Sequence, residues 1–233
     1  MPRVLAVFVL YFPEKEIEGF HDDVIVIDNS YNNVGVAAAL NIGLKKAIDE
    51  KYDWLLTMDQ DSVFEPGAFE NLKSAAFAAE DSVAWLSPVH KTQKGIKIHK
   101  YVAMTSGSML RVSACKQVGF FEEKLFIDSV DNEYCLRLRK FGYKIMHVNG
   151  CILNHSLGTL RNGIIQHNAA RRYYITRNML YVMSRYPVFF FFGSKELIKS
   201  FLLILLVEDD KHRKIKSYFT GVVDFIRGRY GQR

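Results

Sequence analysis

The sequence predicts an α/β protein built on a doubly wound, mostly parallel sheet flanked by helices, with a helical C-terminal segment. Three observations carry this. Short, nearly all-apolar runs recur at 3–11, 23–28, 53–58 and 83–87, amphipathic stretches of helical period lie between them, and polar side chains gather where the runs stop. A chain of 233 residues, 49% apolar and 24% charged, has the composition of a globular protein and the length of one large α/β domain or a domain with an appendage.

Residues 3–11 (RVLAVFVLY) and 23–28 (DVIVID) read as parallel strands covered on both faces. Pro13 to Phe20 reads as a short helical crossover between them. Residues 35–50 form a helix with Val36, Leu40, Leu44, Ala47 and Ile48 on one side; Lys45, Lys46, Asp49 and Glu50 face water. Residues 53–58 (DWLLTM) make the next strand. Pro66 suits the first turn of a helix over 66–80, whose apolar side carries Phe69, Leu72, Ala76 and Ala79. Residues 83–87 (VAWLS) close this half.

In the second half, 101–111 reads as a strand broken by Ser-Gly-Ser. Ser113 can cap a short helix ending at Gly119. A helix over 131–141 turns Tyr134, Cys135, Leu138 and Phe141 inward and stops at Gly142. Residues 143–148 and 151–154 read as two short strands. Toward the end, VFFFF (188–192) and FLLILLV (201–207) flank a turn of Gly193, Lys195, Glu196 and Lys199. Neither run approaches the ~20 apolar residues of a membrane span. They fit helices packed on the main domain or an amphipathic membrane-surface element, and the basic KHRKIKSYF favours the second.

The net charge is +6. Residues 186–233 hold 9 Lys/Arg against 5 Asp/Glu, and 155–185 hold five arginines and no acid. Such a surface suits phosphate groups, nucleic acid or an anionic membrane as well as plain solubility. Cys115, Cys135 and Cys151 form no CxxC pair, which argues against zinc and a disulfide framework and for a reducing compartment. The first residues are too soon broken by Pro13 for a signal peptide. The expectation is a cytoplasmic protein, peripheral at the inner membrane face if 186–233 touches lipid.

Four constellations could carry chemistry. Asp59-Gln60-Asp61 ends a strand, and carboxylates at i and i+2 can converge on a hard divalent cation; two solvated loop acids is the plainer reading. Asp28-Asn29-Ser30, followed by the small residues after Gly35, could accept hydrogen bonds from a nucleoside and admit a ligand to a helix N-terminus, or simply form a turn. Asp128, Asp131 and Glu133 cluster at a helix start, suiting either its dipole or a general base. His155-Ser156-Leu157-Gly158 precedes Arg171-Arg172-Tyr173-Tyr174-Ile175-Thr176-Arg177, which could bind a diphosphate or form an exposed basic helix.

In this order and at these spacings the four resemble the inverting family 2 nucleotide-sugar glycosyltransferases of the GT-A fold, closest to the bacterial rhamnosyltransferases of cell-surface polysaccharide assembly. The resemblance covers roughly residues 4–185, with GRYG near the end also shared. It implies a GT-A type, Rossmann-like catalytic domain over 1–185, its nucleotide-binding half at about 1–100 and its acceptor half at 101–185. A helical, possible membrane-surface segment follows over 186–233. Tyr11 of Tyr-Phe-Pro would line the base. Asp28 and Asn29 would contact the nucleoside, with Asn33, Gly35 and Asn41 matching the run of the first long helix. Asp59 and Asp61 match the DxD, in the DQD form of the rhamnosyltransferase branch. Asp61 would bind metal directly, and Asp59 would reach the ribose or the metal through water. His155 would be the third metal ligand. Ser106, Gly107 and Ser108 would line the donor and acceptor pocket. Asp131 of VDNEY would be the base, and Arg172, Tyr173 and Arg177 would contact the diphosphate. Phe12 replaces the usual Asn after Tyr11, and Val130 the Glu common before the catalytic Asp.

The implied activity is a Mg²⁺- or Mn²⁺-dependent inverting transfer of L-rhamnose from dTDP-β-L-rhamnose to a hydroxyl of a polysaccharide or lipid-linked glycan. A UDP-hexose or UDP-galactofuranose donor keeps the same chemistry. A non-catalytic basic module for nucleic acid or anionic lipid is the rival from another class, and no nucleic acid is expected on the enzyme reading.

Overall fold

The structure, a computed structural model, describes residues 2–13, 23–92, 95–97, 102–155, 159–161 and 164–233. The crossover expected up to Phe20 falls largely outside them, as do the start of the expected strand at 101 and residues 156–158 of the HSLG stretch. The chain divides into two compact units, Met1–Glu123 with Asp131–Ser156 and Lys124–Val130 with Leu157–Arg233.

The first unit is α/β. Its sheet runs β2-β1-β3-β7-β5-β8-β4 in space, with β6 paired to β5. Strand β1 (Val4–Leu10) is buried throughout and pairs in parallel with β2 (Asp23–Asp28) and β3 (Trp54–Asp59). β2 is the edge strand, so it is not covered on both faces: Val24 and Val26 stay exposed. The second half mixes directions. β7 (Ser108–Arg111) enters antiparallel between β3 and β5 (Val83–Thr92), β8 (Lys144–His155) runs parallel to β5, and β4 (Ser62–Phe64) and β6 (Gly95–Lys97) pair antiparallel with β8 and β5.

Strand β8 replaces the two short strands expected at 143–148 and 151–154. The register against β5 slips between Ser87 and Val89, so the ladder passes through a bulge at Asn149-Gly150 instead of stopping there. Helices α1 (Val36–Asp49) and α2 (Ala68–Ala78) lie where the periodicity puts them, although Pro66 sits in the turn before α2 and not in its first turn. In α3 (Val112–Val118) Arg111 takes the capping position and Ser113 lies inside the helix. In α4 (Val130–Lys140) Tyr134, Cys135 and Leu138 are fully buried; Phe141 falls beyond the last turn and is exposed. Ala6, Phe8, Leu56, Met58, Leu72, Leu86 and Leu153 join one core cluster between the sheet and α2. That core anchors the carboxyl ends of β1 and β3, from which the polar residues project.

The second unit holds a hairpin, β9 (Thr159–Arg161) with β10 (Ile164–Gln166), and three helices, α5 (Ala169–Arg185), α6 (Phe190–Leu206) and α7 (Lys211–Ile226). The expected boundary at 185/186 lies within this unit. The turn expected around Gly193 is absent, because 190–206 is one helix. Gly193 serves a close approach there: a Cβ would meet Met183 at 2.5 Å.

Candidate active site

Asp59 is the last residue of β3 and Asp61 the last of the two-residue turn into β4. Ser62, which opens β4, pairs in the ladder with His155, the last residue of β8. Two strand ends 93 residues apart are thereby forced together. A carboxylate oxygen of each acid and a ring nitrogen of His155 lie within 4.8 Å of one another. Ligands on one octahedral ion at about 2.1 Å sit no more than about 4.2 Å apart, so the group needs to close only slightly around a cation. Two carboxylates and an imidazole suit a divalent ion that keeps water or phosphate oxygens in its other positions. His155 Nδ1 lies 3.3 Å from Asp61 Oδ1 and 2.6 Å from Ser62 Oγ.

Ser106 is the hub behind this cluster. Its hydroxyl accepts from the Asp59 amide (3.2 Å) and donates to Ser62 Oγ (2.6 Å). Its carbonyl accepts from His90 Nε2 (2.7 Å), so the buried His90 carries its proton on that nitrogen. The Gly107 amide donates to the Thr57 carbonyl (2.7 Å), and Ser108 Oγ donates to the Met104 carbonyl (2.6 Å). The side chains of Ser106 and Ser108 are thus buried in the wall that supports the acids. Ser62 and His90 join the site with no signal in the linear sequence; only the strand pairing reveals them.

At the neighbouring strand ends, Asp28 accepts from the Ser30 amide (2.8 Å), and hydrogen bonding from Ser30 holds its carboxyl below the usual range. Ser30 Oγ in turn accepts from the Phe12 amide (2.7 Å). Tyr11, Phe12 and Tyr31 form an exposed aromatic group, with centroid separations of 4.9 Å and 5.8 Å for successive pairs. Phe12 and Tyr31 carry no site motif in the sequence; their exposure near the end of β2 marks them. Gln60 ties this group to the acids, accepting from the Tyr11 amide at 2.6 Å and donating to the Tyr11 carbonyl at 3.0 Å.

Other candidates face inward. Asn29 is buried and brackets the turn before α1, accepting from the Val34 amide and donating to the Gly35 carbonyl, both at 3.4 Å. Asn33 accepts from the Gly35 amide (2.9 Å). Asn41 is buried in α1 and spans to Phe121, accepting from its amide (2.8 Å) and donating to its carbonyl (3.0 Å).

Asp131 lies in the first turn of α4, where the helix dipole favours a carboxylate, and its Oδ1 accepts from the Asn132 amide (2.8 Å). One turn further on, Cys135 Sγ accepts from the Ala103 amide (3.3 Å). This contact docks α4 on the loop that carries Ser106. Burial drives the Cys135 thiol well above the ordinary thiol range, and the residue is inert packing.

Arg172 and Arg177, expected at a diphosphate, lie inside the second unit, 3% and 1% exposed. Arg172 pairs with Glu208 and donates to Ser200 Oγ (2.6 Å), while Lys214 reaches the same Glu208 at 3.1 Å. Arg177 donates to the carbonyls of Gly231 (2.8 Å) and Leu125 (3.2 Å) and to the Tyr173 hydroxyl (3.3 Å). The terminal GRYG thus supplies a carbonyl acceptor to a buried guanidinium. Asn178 adds donations to the carbonyls of Leu125, Ile127 and Asp128. Tyr173 is also buried and donates to Asp224 (3.0 Å).

An α/β unit with an Asp-x-Asp turn at its strand ends fits a glycosyltransferase, and the comparisons agree. The family model of glycosyl transferase family 2 matches residues 13–137, more than half of the chain, and the protein belongs to that family. It is a glycosyltransferase. A curated relative, the dTDP-rhamnosyl transferase RfbF of Shigella flexneri, is 25% identical, the match covering 98% of this chain and 97% of the relative. Among solved structures, the S. aureus TarS 1-349 fragment in complex with UDP-GlcNAc aligns at a TM-score of 0.56 and 13% identity, over 97% of this chain and 81% of that one. A second structure of the same fragment gives a TM-score of 0.53 at 13% identity, over 97% and 73%. These neighbours establish the GT-A fold.

Proposed function

We propose that the protein transfers L-rhamnose from dTDP-β-L-rhamnose, with inversion, to a hydroxyl of a cell-surface polysaccharide or lipid-linked glycan. The observation that carries the reading is the Asp59, Asp61 and His155 cluster beside the Tyr11, Phe12, Tyr31 and Asp28 group, joined through Gln60. Near-full-length similarity to a dTDP-rhamnosyl transferase supports the choice of donor.

The exposed aromatic group stacks on the base, and Asp28, held ionised by Ser30, accepts hydrogen bonds from the nucleoside. Asp59, Asp61 and His155 would hold Mg²⁺ or Mn²⁺, which when bound would supply positive charge against the diphosphate leaving group. Asp131 takes the proton from the acceptor hydroxyl. That oxygen bonds to the anomeric carbon on the face opposite the diphosphate, the bond from carbon to the diphosphate oxygen breaks, and dTDP departs with the electron pair. Ser106, through Ser62 and the Asp59 amide, keeps the acid turn in place during the exchange. Arg172 and Arg177 act by ordering the second unit.

A thermal-shift panel of dTDP, UDP and their sugars with Mg²⁺ or Mn²⁺ tests the donor, because a ligand that binds the native state raises its melting temperature. The largest rise is expected with dTDP and dTDP-L-rhamnose. A larger rise with UDP-hexose or UDP-galactofuranose moves the donor to those sugars; no rise with any nucleotide removes the reading.

A further inference from the structure

Among the described residues no helix is long and apolar enough to cross a membrane. Helix α6 is nevertheless apolar on two opposite faces. Gly193, Leu197, Ser200 and Ile204 form the buried face. On the opposite side Phe191 and Leu206 are 86% and 73% exposed, and Ile198, Leu202 and Leu205 are exposed between them. These five recur at helical spacing, so they form one stripe about 22 Å long at 1.5 Å per residue. Lys195 and Lys199 edge the stripe, and no acid lies on it. Helix α7 repeats the pattern: Phe219, Val223 and Ile226 are exposed, with His212 and Lys216 on the same side. The Phe201 and Phe219 rings, 5.8 Å between centroids, join the two stripes.

The acids of this region are turned away from the stripes or held by bases. Glu208 is buried with Arg172 and Lys214, Asp224 accepts from Tyr173, Asp210 faces Arg213 at 3.4 Å, and Glu196, on the flank of α6, reaches Lys199 at 3.6 Å. Asp209 and Asp210 are exposed only in the turn between the two helices; the outward stripes themselves are apolar with a basic edge. Monomeric soluble proteins seldom expose a contiguous apolar surface of this kind without a partner for it. A second copy of the chain would bring the Lys195 and Lys199 edges against like charge. An anionic bilayer accepts both components, the side chains among its acyl chains and the lysines among its headgroups.

We infer that the outer faces of α6 and α7 form a docking surface for an anionic lipid bilayer, with α6 lying in the plane of the interface. Phe191, Ile198, Leu202 and Leu206 enter the acyl boundary, and Lys195, Lys199 and Lys216 contact the phosphates. This assignment stands on the second unit alone and is independent of the sugar donor.

Flotation of the full-length protein with vesicles tests it. Phosphatidylglycerol-rich vesicles should carry the protein up the gradient, and phosphatidylcholine vesicles should carry much less. Replacing Lys195 and Lys199 by Gln should weaken binding to the anionic vesicles by roughly 30-fold, since each basic residue near such a surface contributes about a factor of five. The Phe191→Asp, Leu206→Asp variant should abolish flotation; both positions are exposed, so its melting temperature and nucleotide binding should match the parent. Absence of flotation on phosphatidylglycerol overturns the inference, as does equal flotation of the aspartate variant. A parent that sediments as a dimer, converted to monomer by the same aspartates and indifferent to vesicles, assigns the face to a second copy and overturns it too. A failure in the nucleotide panel with flotation intact sinks the donor reading and leaves this surface standing.

Discussion

Gln60 grips the backbone of Tyr11 from both sides, accepting from its amide at 2.6 Å and donating to its carbonyl at 3.0 Å. The side chain between the two acids therefore acts as a short length of strand, extending β1 past Leu10 and holding the exposed Tyr11 ring beside Phe12. The exposed aromatic group and the Asp59–Asp61 turn become one mechanical piece.

The Gln60→Met variant keeps the length of the side chain and removes both hydrogen bonds. At about 1 kcal/mol for each, nucleotide affinity should fall roughly 5- to 30-fold. The change should appear in KM for the nucleotide-sugar, with kcat altered less. Calorimetric titration with dTDP checks it, and an unchanged affinity would make the clamp irrelevant to binding.

A change at Asp131, the proposed base, separates chemistry from binding. Asp131→Asn should lower sugar transfer by about 10²–10⁴-fold while leaving dTDP binding intact. Single-turnover rates paired with calorimetry would show it. Full activity in the variant would take the proton transfer away from Asp131.

The second unit should be acid-sensitive. Burial, reinforced by the Arg171 and Arg172 charges, pulls His167 down to about 4, and Glu208 and Lys214 also act on it. At Glu208, burial acts to raise the carboxyl, but the hydrogen bonds from Arg172 and Lys214 outweigh it and leave the group below its ordinary value. In both cases the unfolded chain binds the proton more readily. Stability is therefore complete above about pH 6.5, the ordinary histidine value, and declines as pH falls toward 4. Thermal melts across this range should show the decline; His167→Asn should flatten its upper part.

Arg172 and Glu208 should matter to stability before activity. Glu208→Ala leaves two buried cations without their carboxylate and should cost about 3–5 kcal/mol. Arg172→Lys should lower the melting temperature while leaving dTDP affinity in the folded fraction unchanged. A KM effect at unchanged stability would return Arg172 to the diphosphate.

The hub admits little change. Gly107 has φ +72, and a Cβ there would lie 2.6 Å from Leu153 Cδ2. Gly107→Ala combines left-handed strain with overpacking, each costing about 1–3 kcal/mol. The melting temperature should fall, and Mn²⁺ binding should weaken as the Ser106 network shifts. An unchanged melt would show that the loop relaxes freely.

Local pattern made much of this legible. The buried run of β1, the amphipathic period of α1 and α4, and the placement of Asp59 and Asp61 at a strand end all follow from spacing along the chain. What was hidden depends on contacts distant in sequence. Asn149-Gly150 looks like a strand terminator, and only the pairing of β8 with β5 turns it into a bulge. Gly193 and Lys195 look like a turn, yet Gly193 is small because Met183 packs on it. The linear sequence cannot say whether an arginine points in or out: the partners of Arg172 are Ser200 and Glu208, 28 and 36 residues away. Ser62 and His90 carry no motif at all, and belong to the site through Ser106.

The cation-dependent capture of a nucleoside diphosphate at Asp59, Asp61 and His155 is tested most directly by titrating dTDP into the protein in a calorimeter. The titration is run with Mn²⁺, with chelator, and with Asp61→Ala in Mn²⁺. Clear binding is expected in the first case and at least a tenfold loss in the other two, the diphosphate charge being then uncompensated. Equal affinity in all three would contradict it.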